Sequence, residues 1–262
     1  MKKVIFEKSI LSCVLIFLIC CIARVVEYFG IRTDETILAE NFIHKVFGII
    51  ILVVMLVLSK LSWDSIGFTK TKIVQNLLKG LALGVSCFSI AYLVECVLLY
   101  CMNGNVQLSV YTSGFSLNGE AVKQTGIGFI LLCITFNLIN VWMEEGIFRG
   151  LFSRLLENRM SFKGIVFFIA LLFGVWHWVM PMRDYIEGNS SLGNLLVMGI
   201  GDHLFNNIVV TNLLHVISNN EADNLQIIRI LIGQLISFVL VMSFYKKECS
   251  WANARWLDLE LG

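Results

Sequence analysis

The stretch GIGFILLCITFNLINVWMEEGIFRGLFSRLLE, residues 126–157, decides the fold. It contains no charged residue before Glu144 and is longer than the roughly 20 apolar residues that a helix needs to cross about 30 Å of hydrocarbon. Backbone amides inside lipid have to form hydrogen bonds within the chain, and a helix achieves this within one segment. We therefore interpret residues 126–157 as a transmembrane helix that carries charged residues in its second half.

Composition extends this interpretation to the whole chain. Apolar residues make up 57% of the 262 residues and charged residues 15%, whereas soluble domains average about 45–50% and about 25%. Mean hydropathy is +0.80, and the net charge of +1 does not favour a nucleic-acid partner. We predict an all-α fold, a polytopic transmembrane bundle of about six to seven helices in a single domain over 1–262, with 102–125 as a surface loop. The predicted helices are 10–28, 42–61, 73–100, 126–157, 162–180, 192–217 and 227–244.

Charges in the loops orient the bundle. The N-terminal segment, 60–79 and 154–163 carry lysine and arginine, and the segment after the first helix carries acidic residues. The positive-inside rule places the basic segments in the cytoplasm, which predicts a multi-pass cell-membrane protein with a cytoplasmic N-terminus. The composition, rich in lysine, isoleucine and asparagine, is typical of a bacterial protein. Lys246 and Lys247 place the C-terminus inside as well, so the number of crossings should be even.

Seven predicted segments conflict with an even number of crossings. Five crossings up to residue 180 leave the chain outside, and 227–244 returns it. We therefore expect 192–217 to enter the membrane and return, or to lie against the outer face. A re-entrant backbone has to be buried in protein or line a wet cavity. The alternative is a straight helix over 192–217, which would bring His203 to the depth of Glu144.

Charged residues at membrane depth are costly and usually functional. Glu145 and Arg149 are four residues apart, so they lie on one helix face and can pair. Glu144 is rotated by about 100° from Glu145 and points elsewhere. A structural ion pair with a spare glutamate is the alternative; we favour a functional site.

His177 lies in the next apolar helix. The midpoint between Glu144 and His177 falls inside the polar turn 158–161, so an antiparallel hairpin would place them at the same height. A histidine at this depth can be a core residue whose hydrogen bonds are satisfied. Because a glutamate is predicted at the same level, we favour a shared site.

A third group of polar residues surrounds His203. His203 and Asn207 are four residues apart and can direct two neutral donors to one point, as an oxyanion hole requires. His215 and Asn219 repeat this spacing and rank second. His44 stands beside a lysine at a predicted helix start and is interpreted as an interfacial residue.

Three short motifs follow one another on these helices: E-E-x-x-x-R, F-x-x-x-H and H-x-x-x-N. Together they resemble the signature of the CAAX-protease and bacteriocin-processing (CPBP, or Abi) family of intramembrane endopeptidases, and the likeness covers about 40–245. Each motif alone is weak, but three in order on apolar helices are specific. The matching residues are Glu144, Glu145 and Arg149, then Phe173 and His177, then His203 and Asn207.

The resemblance implies hydrolysis of a peptide bond at the membrane by an activated water. Glu144 would be the general base and His177 its partner at the water, while His203 and Asn207 would form the oxyanion hole. Glu145–Arg149 and Phe173 would support the site. H-E-x-x-H is absent, so we favour a mechanism without a metal cofactor, with a divalent cation as the alternative. The implied partners are the lipid bilayer and a peptide or membrane-protein substrate.

One spacing departs from the family. A further transmembrane helix usually separates the second and third motifs, whereas His203 follows His177 by only 26 residues and 181–191 is predicted to be a polar loop. Two hypotheses result: an active endopeptidase, and a catalytically impaired protein of the same fold that acts as a bacteriocin-immunity or partner-binding factor. A transporter is less favoured, because paired hydrophobic repeats are not found.

Overall fold

The structure is a computed structural model that describes residues 2–36, 40–71, 73–103, 107–110, 112–115, 121–124, 126–189, 214–217, 235–236 and 239. The chain divides into two compact units. Among the described residues, the first unit contains those of 2–71 and 110–189 together with Leu214, and the second contains the others. The organisation of the whole chain as a single domain stays a prediction.

Helices make up most of the described chain. They are α1 Lys2–Glu7, α2 Ser9–Val26, α3 Ile43–Ser59, α4 Ile73–Asn103, α5 Ile127–Glu144, α6 Ser153–Leu156, α7 Phe162–His177 and α8 Val179–Ile186. Two π-helical segments continue α2 and α5, and two short 3-10 helices follow α2 and α3. These four segments are Glu27–Ile31, Glu145–Phe152, Thr33–Glu35 and Asp64–Ile66. The strands are β1 Gln107–Val110, β2 Thr112–Phe115, β3 Ala121–Gln124 and β4 Leu214–Ile217.

Three described helices are long and apolar enough to cross a membrane. They are Ser9–Glu35, Ile127–Leu156 and Phe162–Ile186, and Ile43–Ser59 is a shorter apolar helix. These helices confirm the predicted all-α transmembrane bundle.

The outer surfaces of these helices are apolar. Ile22, Val57 and Phe167 are among many large apolar side chains that are exposed. An exposed apolar surface of this extent marks a surface that contacts lipid or protein. The exposed faces therefore agree with a position in the bilayer.

The core of the first unit forms where α3 packs against α5 and the π-helical segment Glu145–Phe152. Leu52, Met143 and Leu151 are fully buried there. Glycines allow the close approach: a Cβ at Gly48 would lie 2.6 Å from Met143 Cγ, and one at Gly146 would lie 2.4 Å from Leu52 Cδ2. Small residues have this role in membrane helix pairs because backbones can then approach closely.

The helix predicted over 162–180 is longer than expected. α7 ends at His177, but after Trp178 the chain continues as α8 to Ile186, so the prediction of a polar loop over 181–191 is wrong for its first six residues. Pro181 is compatible with this helix because it lies in the first turn of α8, where backbone N–H groups have no intrahelical partner.

Two other predictions are corrected by short strands. The predicted surface loop 102–125 contains a hairpin in which Thr112 pairs with Gln124 and Phe115 with Ala121. The helix predicted over 192–217 does not include its last four residues, because β4 Leu214–Ile217 is a strand that pairs with β1. Short apolar runs with β-branched residues fit strand and helix alike, and hydropathy alone does not separate them. The rest of 192–217 and most of 227–244 lie outside the described residues.

Ion pairs join the end of α8 to the segment after α2. Arg183 donates from Nη1 to Asp34 Oδ2 (2.7 Å) and from Nε to Glu187 Oε1 (3.3 Å), and it also pairs with Glu35. Arg32 Nη2 lies 2.8 Å from the same Glu187 oxygen. The helices Ser9–Glu35 and Phe162–Ile186 therefore end on the same side of the bundle.

Candidate functional site

Glu144 and His177 face each other across two neighbouring helices. Glu144 is the last residue of α5 and is 5% exposed, and His177 is the last residue of α7. His177 Nε2 lies 3.7 Å from Glu144 Oε1. The hairpin expected from the midpoint inside 158–161 brings these two side chains together. Their catalytic roles stay predictions.

The His177 ring is held by backbone and by aromatic contacts. Nδ1 of His177 lies 2.9 Å from the backbone carbonyl oxygen of Phe173. Because a carbonyl oxygen can only accept a hydrogen bond, Nδ1 carries the proton. The other ring nitrogen, Nε2, faces Glu144. The Phe173 ring packs edge-on against the imidazole at 4.3 Å and against Phe148 at 5.0 Å. Phe173 was predicted to support the site, and its ring contacts the His177 imidazole on one side and Phe148 on another.

Glu145 and Arg149 form the predicted i,i+4 pair within the π-helical segment Glu145–Phe152. The two side chains are 33% and 51% exposed, and the supporting role of this pair stays a prediction. The π-helical segment widens the helix directly after Glu144, and such segments are frequent at functional sites. Glu144 lies on the side of the helix that is buried in the protein, while Glu145 and Arg149 are partly exposed.

Sequence reasoning did not identify Trp176 as part of this site. Its side chain is fully buried, and the indole N–H donates to Glu144 Oε1 at 3.1 Å. Tryptophan beside histidine in an apolar helix resembles an ordinary core residue. Only the packing of α7 against the π-helical segment that directly follows Glu144 shows that its N–H meets the carboxylate.

A second polar cluster, formed by Arg24, Glu27 and His44, lies on the other side of Trp176. The three side chains are buried, His44 Nδ1 lies 2.5 Å from Glu27 Oε2, and Arg24 Nη1 lies 3.2 Å from His44 Nε2. Arg24 Cζ stacks on the Trp176 ring at 4.5 Å. The interpretation of His44 as an interfacial residue is therefore wrong. The sequence did contain a signal for this cluster, because Arg24 and Glu27 are two charged residues inside an apolar helix.

Glu27 also caps α3 from a neighbouring helix. The backbone N–H groups of Ile43 and His44 donate to its two carboxylate oxygens at 2.9 and 2.6 Å, and the Thr33 hydroxyl donates to the same group. The first N–H groups of a helix lack intrahelical partners, and an anion is favourable there. Glu27 thus fixes the start of α3, and with it His44.

The remaining predicted residues cannot be placed in this geometry. His203, Asn207 and Asn219 lie outside the described residues, and His215 is part of β4. Among the described residues, no group of three or more histidine, cysteine or carboxylate side chains is arranged to hold a metal ion.

Comparison with known proteins agrees with the motifs. A family model described as Rce1-like, Type II CAAX prenyl endopeptidase Rce1-like, matches residues 126–247, which is just under half of the chain. No curated protein and no solved structure matches the chain. The matched segment contains all three motifs, so the resemblance to the CAAX-protease family is confirmed there. At the level of the family, the similarity supports a protease of the CAAX type in a helical membrane bundle.

Proposed function

We propose that the protein is an intramembrane endopeptidase in which Glu144 is the general base and His177 its partner at the attacking water. His203 and Asn207 would hold the oxyanion, and Glu145–Arg149 with Phe173 would support the site. The substrate would be a peptide or a membrane protein. The N-terminus would lie in the cytoplasm of a bacterial cell, and no metal ion would be required.

One observation carries this proposal: a buried carboxylate faces an imidazole inside the segment that the family model matches. The 3.7 Å between His177 Nε2 and Glu144 Oε1 is too long for a direct hydrogen bond, and such a gap suits a water that contacts both groups. In the proposed reaction Glu144 takes a proton from this water, and the water oxygen attacks the carbonyl carbon of the peptide bond that is cleaved. The proton then passes to the amide nitrogen as the C–N bond breaks.

We expect Glu144→Gln and His177→Ala each to reduce kcat by about 10²–10³-fold, because each removes a group that acts in the transition state. Cleavage is measured by mass spectrometry on purified protein in liposomes. The probes are a prenylated CAAX peptide and a library of unprenylated peptides. Both variants should accumulate in membranes like the wild type.

The matched control is Glu157→Gln, an exposed glutamate of the same hairpin that pairs with Arg154. This control should cleave at the wild-type rate. Retained turnover in Glu144→Gln would refute the proposal. Dialysis against EDTA tests the alternative with a divalent cation: a loss of cleavage that zinc restores would contradict the metal-free reaction.

A second candidate is a catalytically impaired protein of the same fold that binds a partner, such as a bacteriocin-immunity factor. The extension of α8 to Ile186 favours it, because only residues 187–202 then separate that helix from His203. A further crossing needs roughly 20 residues, so the helix found in the family at this point does not fit. Wild-type protein that cleaves neither probe but protects cells from a bacteriocin would support this candidate.

A further inference from the structure

Trp176 lies between two charged groups of opposite sign. Its indole N–H donates to Glu144 Oε1 at 3.1 Å, and Arg24 Cζ lies 4.5 Å from the centroid of the same ring. All three side chains are buried. The contacts come from three helices, because Arg24 is in α2, Glu144 in α5 and Trp176 in α7.

The Arg24 guanidinium is held in place by a defined set of contacts. Its Nη2 donates to the Tyr28 hydroxyl at 3.4 Å, and its Nη1 lies 3.2 Å from His44 Nε2. A guanidinium can only donate, so His44 Nε2 accepts, and the imidazole proton is on Nδ1, directed at Glu27. Among the described residues, Arg24 has no direct ion pair with a carboxylate. Its charge is therefore balanced through the neutral His44 ring by Glu27.

These contacts form a continuous path of polarised groups. A cation over the face of an indole attracts the π electrons and makes the ring N–H a stronger donor. Chains of such interactions strengthen one another in a medium of low dielectric constant. The hydrogen bond from Trp176 restricts the rotation of the Glu144 carboxylate, while Arg24 in turn fixes the plane of the indole. A tryptophan that only fills space would need neither contact.

We propose that Trp176 and Arg24 are positioning residues for Glu144, with Trp176 holding the carboxylate and Arg24 holding the indole. This inference rests on the proposed role of Glu144 as general base. A positioning role means that the two residues affect the chemical step and not the affinity for the substrate. General-base catalysis depends on the orientation of the carboxylate towards the water, and small misplacements reduce rates strongly.

The main test is Trp176→Phe, which retains an aromatic face for Arg24 and removes the N–H. We expect kcat on the best-cleaved probe peptide to fall by about 10- to 100-fold, as expected for the loss of a hydrogen bond to a charged group, with KM within about twofold. Replacement of Trp176 by benzothienylalanine removes the N–H at nearly constant volume and should give the same loss. The matched control is Trp63→Phe, which removes an indole N–H outside the site and should leave kcat unchanged.

The role of Arg24 is tested by two substitutions, one that removes the positive charge and one that keeps it. Arg24→Met removes the cation and should reduce kcat by about tenfold. Arg24→Lys keeps a cation that can reach His44 Nε2 and the indole face, so it should recover most of that loss. Thermal unfolding in detergent accompanies each assay, because a purely structural role would lower the melting temperature and leave the kcat of the folded fraction unchanged.

Glu144→Gln separates failure of this inference from failure of the proposed function. If Glu144→Gln is inactive while folded Trp176→Phe and the benzothienylalanine variant keep kcat within twofold of the wild type, the positioning role is refuted and the proposed function stands. If Glu144→Gln retains cleavage, both fail. An inactive Glu144→Gln, a loss of kcat in both Trp176 variants at constant KM, and recovery by Arg24→Lys would establish the inference.

Discussion

Glu27 is the centre of a buried hydrogen-bond network in the first unit. It is fully buried and accepts hydrogen bonds from two backbone N–H groups, the Thr33 hydroxyl and the His44 ring. Glu27→Gln keeps the shape of the side chain but removes the negative charge that balances Arg24. It also places an amide NH2 group next to N–H and O–H groups that need an acceptor. We expect a loss of about 3–5 kcal/mol in the free energy of unfolding, measured by denaturant titration in mixed micelles, because a buried network loses one partner.

Arg149→Ala is the comparison for Glu27→Gln. Arg149 pairs with Glu145, and these two side chains are 51% and 33% exposed, so fewer protein contacts are lost with Arg149 than with the fully buried Glu27. We therefore expect Arg149→Ala to destabilise the protein less than Glu27→Gln. An equal or larger effect of Arg149→Ala would show that the half-exposed pair is a main support of the fold.

At the residue scale, the sequence revealed neighbours within one helix and across one short hairpin. The i,i+4 spacing predicted the Glu145–Arg149 contact, and the symmetry about 158–161 predicted that Glu144 and His177 are adjacent. The contacts of Arg24, His44 and Trp176 could not be predicted in this way. They join helices that are distant along the chain, and no local spacing indicates which faces of such helices meet.

At the element scale, Gly150 sets the distance between the π-helical segment and the 3-10 turn Asp64–Ile66. A Cβ at Gly150 would lie 2.7 Å from the backbone oxygen of Ile66, which cannot move without shifting that turn. We expect Gly150→Ala to destabilise the protein by about 1–3 kcal/mol in the same titration.

Two glycines of the same continuous helix serve as controls for Gly150. A Cβ at Gly146 would meet the end of the flexible Leu52 side chain, so Gly146→Ala should have a smaller effect. A Cβ at Gly128 meets nothing within 4 Å, so Gly128→Ala should be neutral or stabilise by up to about 1 kcal/mol. Equal effects of all three substitutions would contradict the close backbone approach at Gly150.

Element boundaries were predicted well where hydropathy and helix length agreed. The helix predicted over 126–157 is found as the continuous span Ile127–Leu156, and that over 42–61 as Ile43–Ser59. The π-helical segments were not predicted, because hydrophobic periodicity does not register one extra residue in a turn. β4 was not predicted because it has only four residues, three of them apolar, and so short a segment has no distinctive period.

At the scale of the whole molecule, charge and packing define two ends of the first unit. Lys2, Lys3 and Arg159 line one groove together with Phe6 and Leu155, so the N-terminus and the turn after α6 lie at the same end. At the other end, Arg183 joins the ends of two long helices through Asp34 and Glu35. The positive-inside rule assigns the lysine- and arginine-lined end to the cytoplasm.

This polarity predicts the sidedness of two exposed positions. In a background with the eight cysteines replaced by alanine, Asn158→Cys should react with a membrane-impermeant maleimide only from the cytoplasm, and Asn189→Cys only from outside. Labelling of intact cells is compared with labelling of inverted vesicles. If both positions react from one side, the segment Phe162–Ile186 does not cross the membrane, and the assignment of the two ends is wrong.

The same assay resolves the conflict between segment count and terminal charge. If the segment around His203 enters the membrane and returns, Asp223→Cys should react from outside, like Asn189→Cys, and the C-terminal lysines should lie inside. A crossing segment would instead expose Asp223→Cys to the cytoplasm.

The length of α8 limits how the chain can reach His203. α8 extends the preceding helix by two turns, so only residues 187–202 lie between it and His203. That length suffices for a turn outside the membrane but not for a further crossing. Labelling of Asp223→Cys from the cytoplasm alone would therefore mean that the helix carrying His203 crosses in the opposite sense to α7–α8.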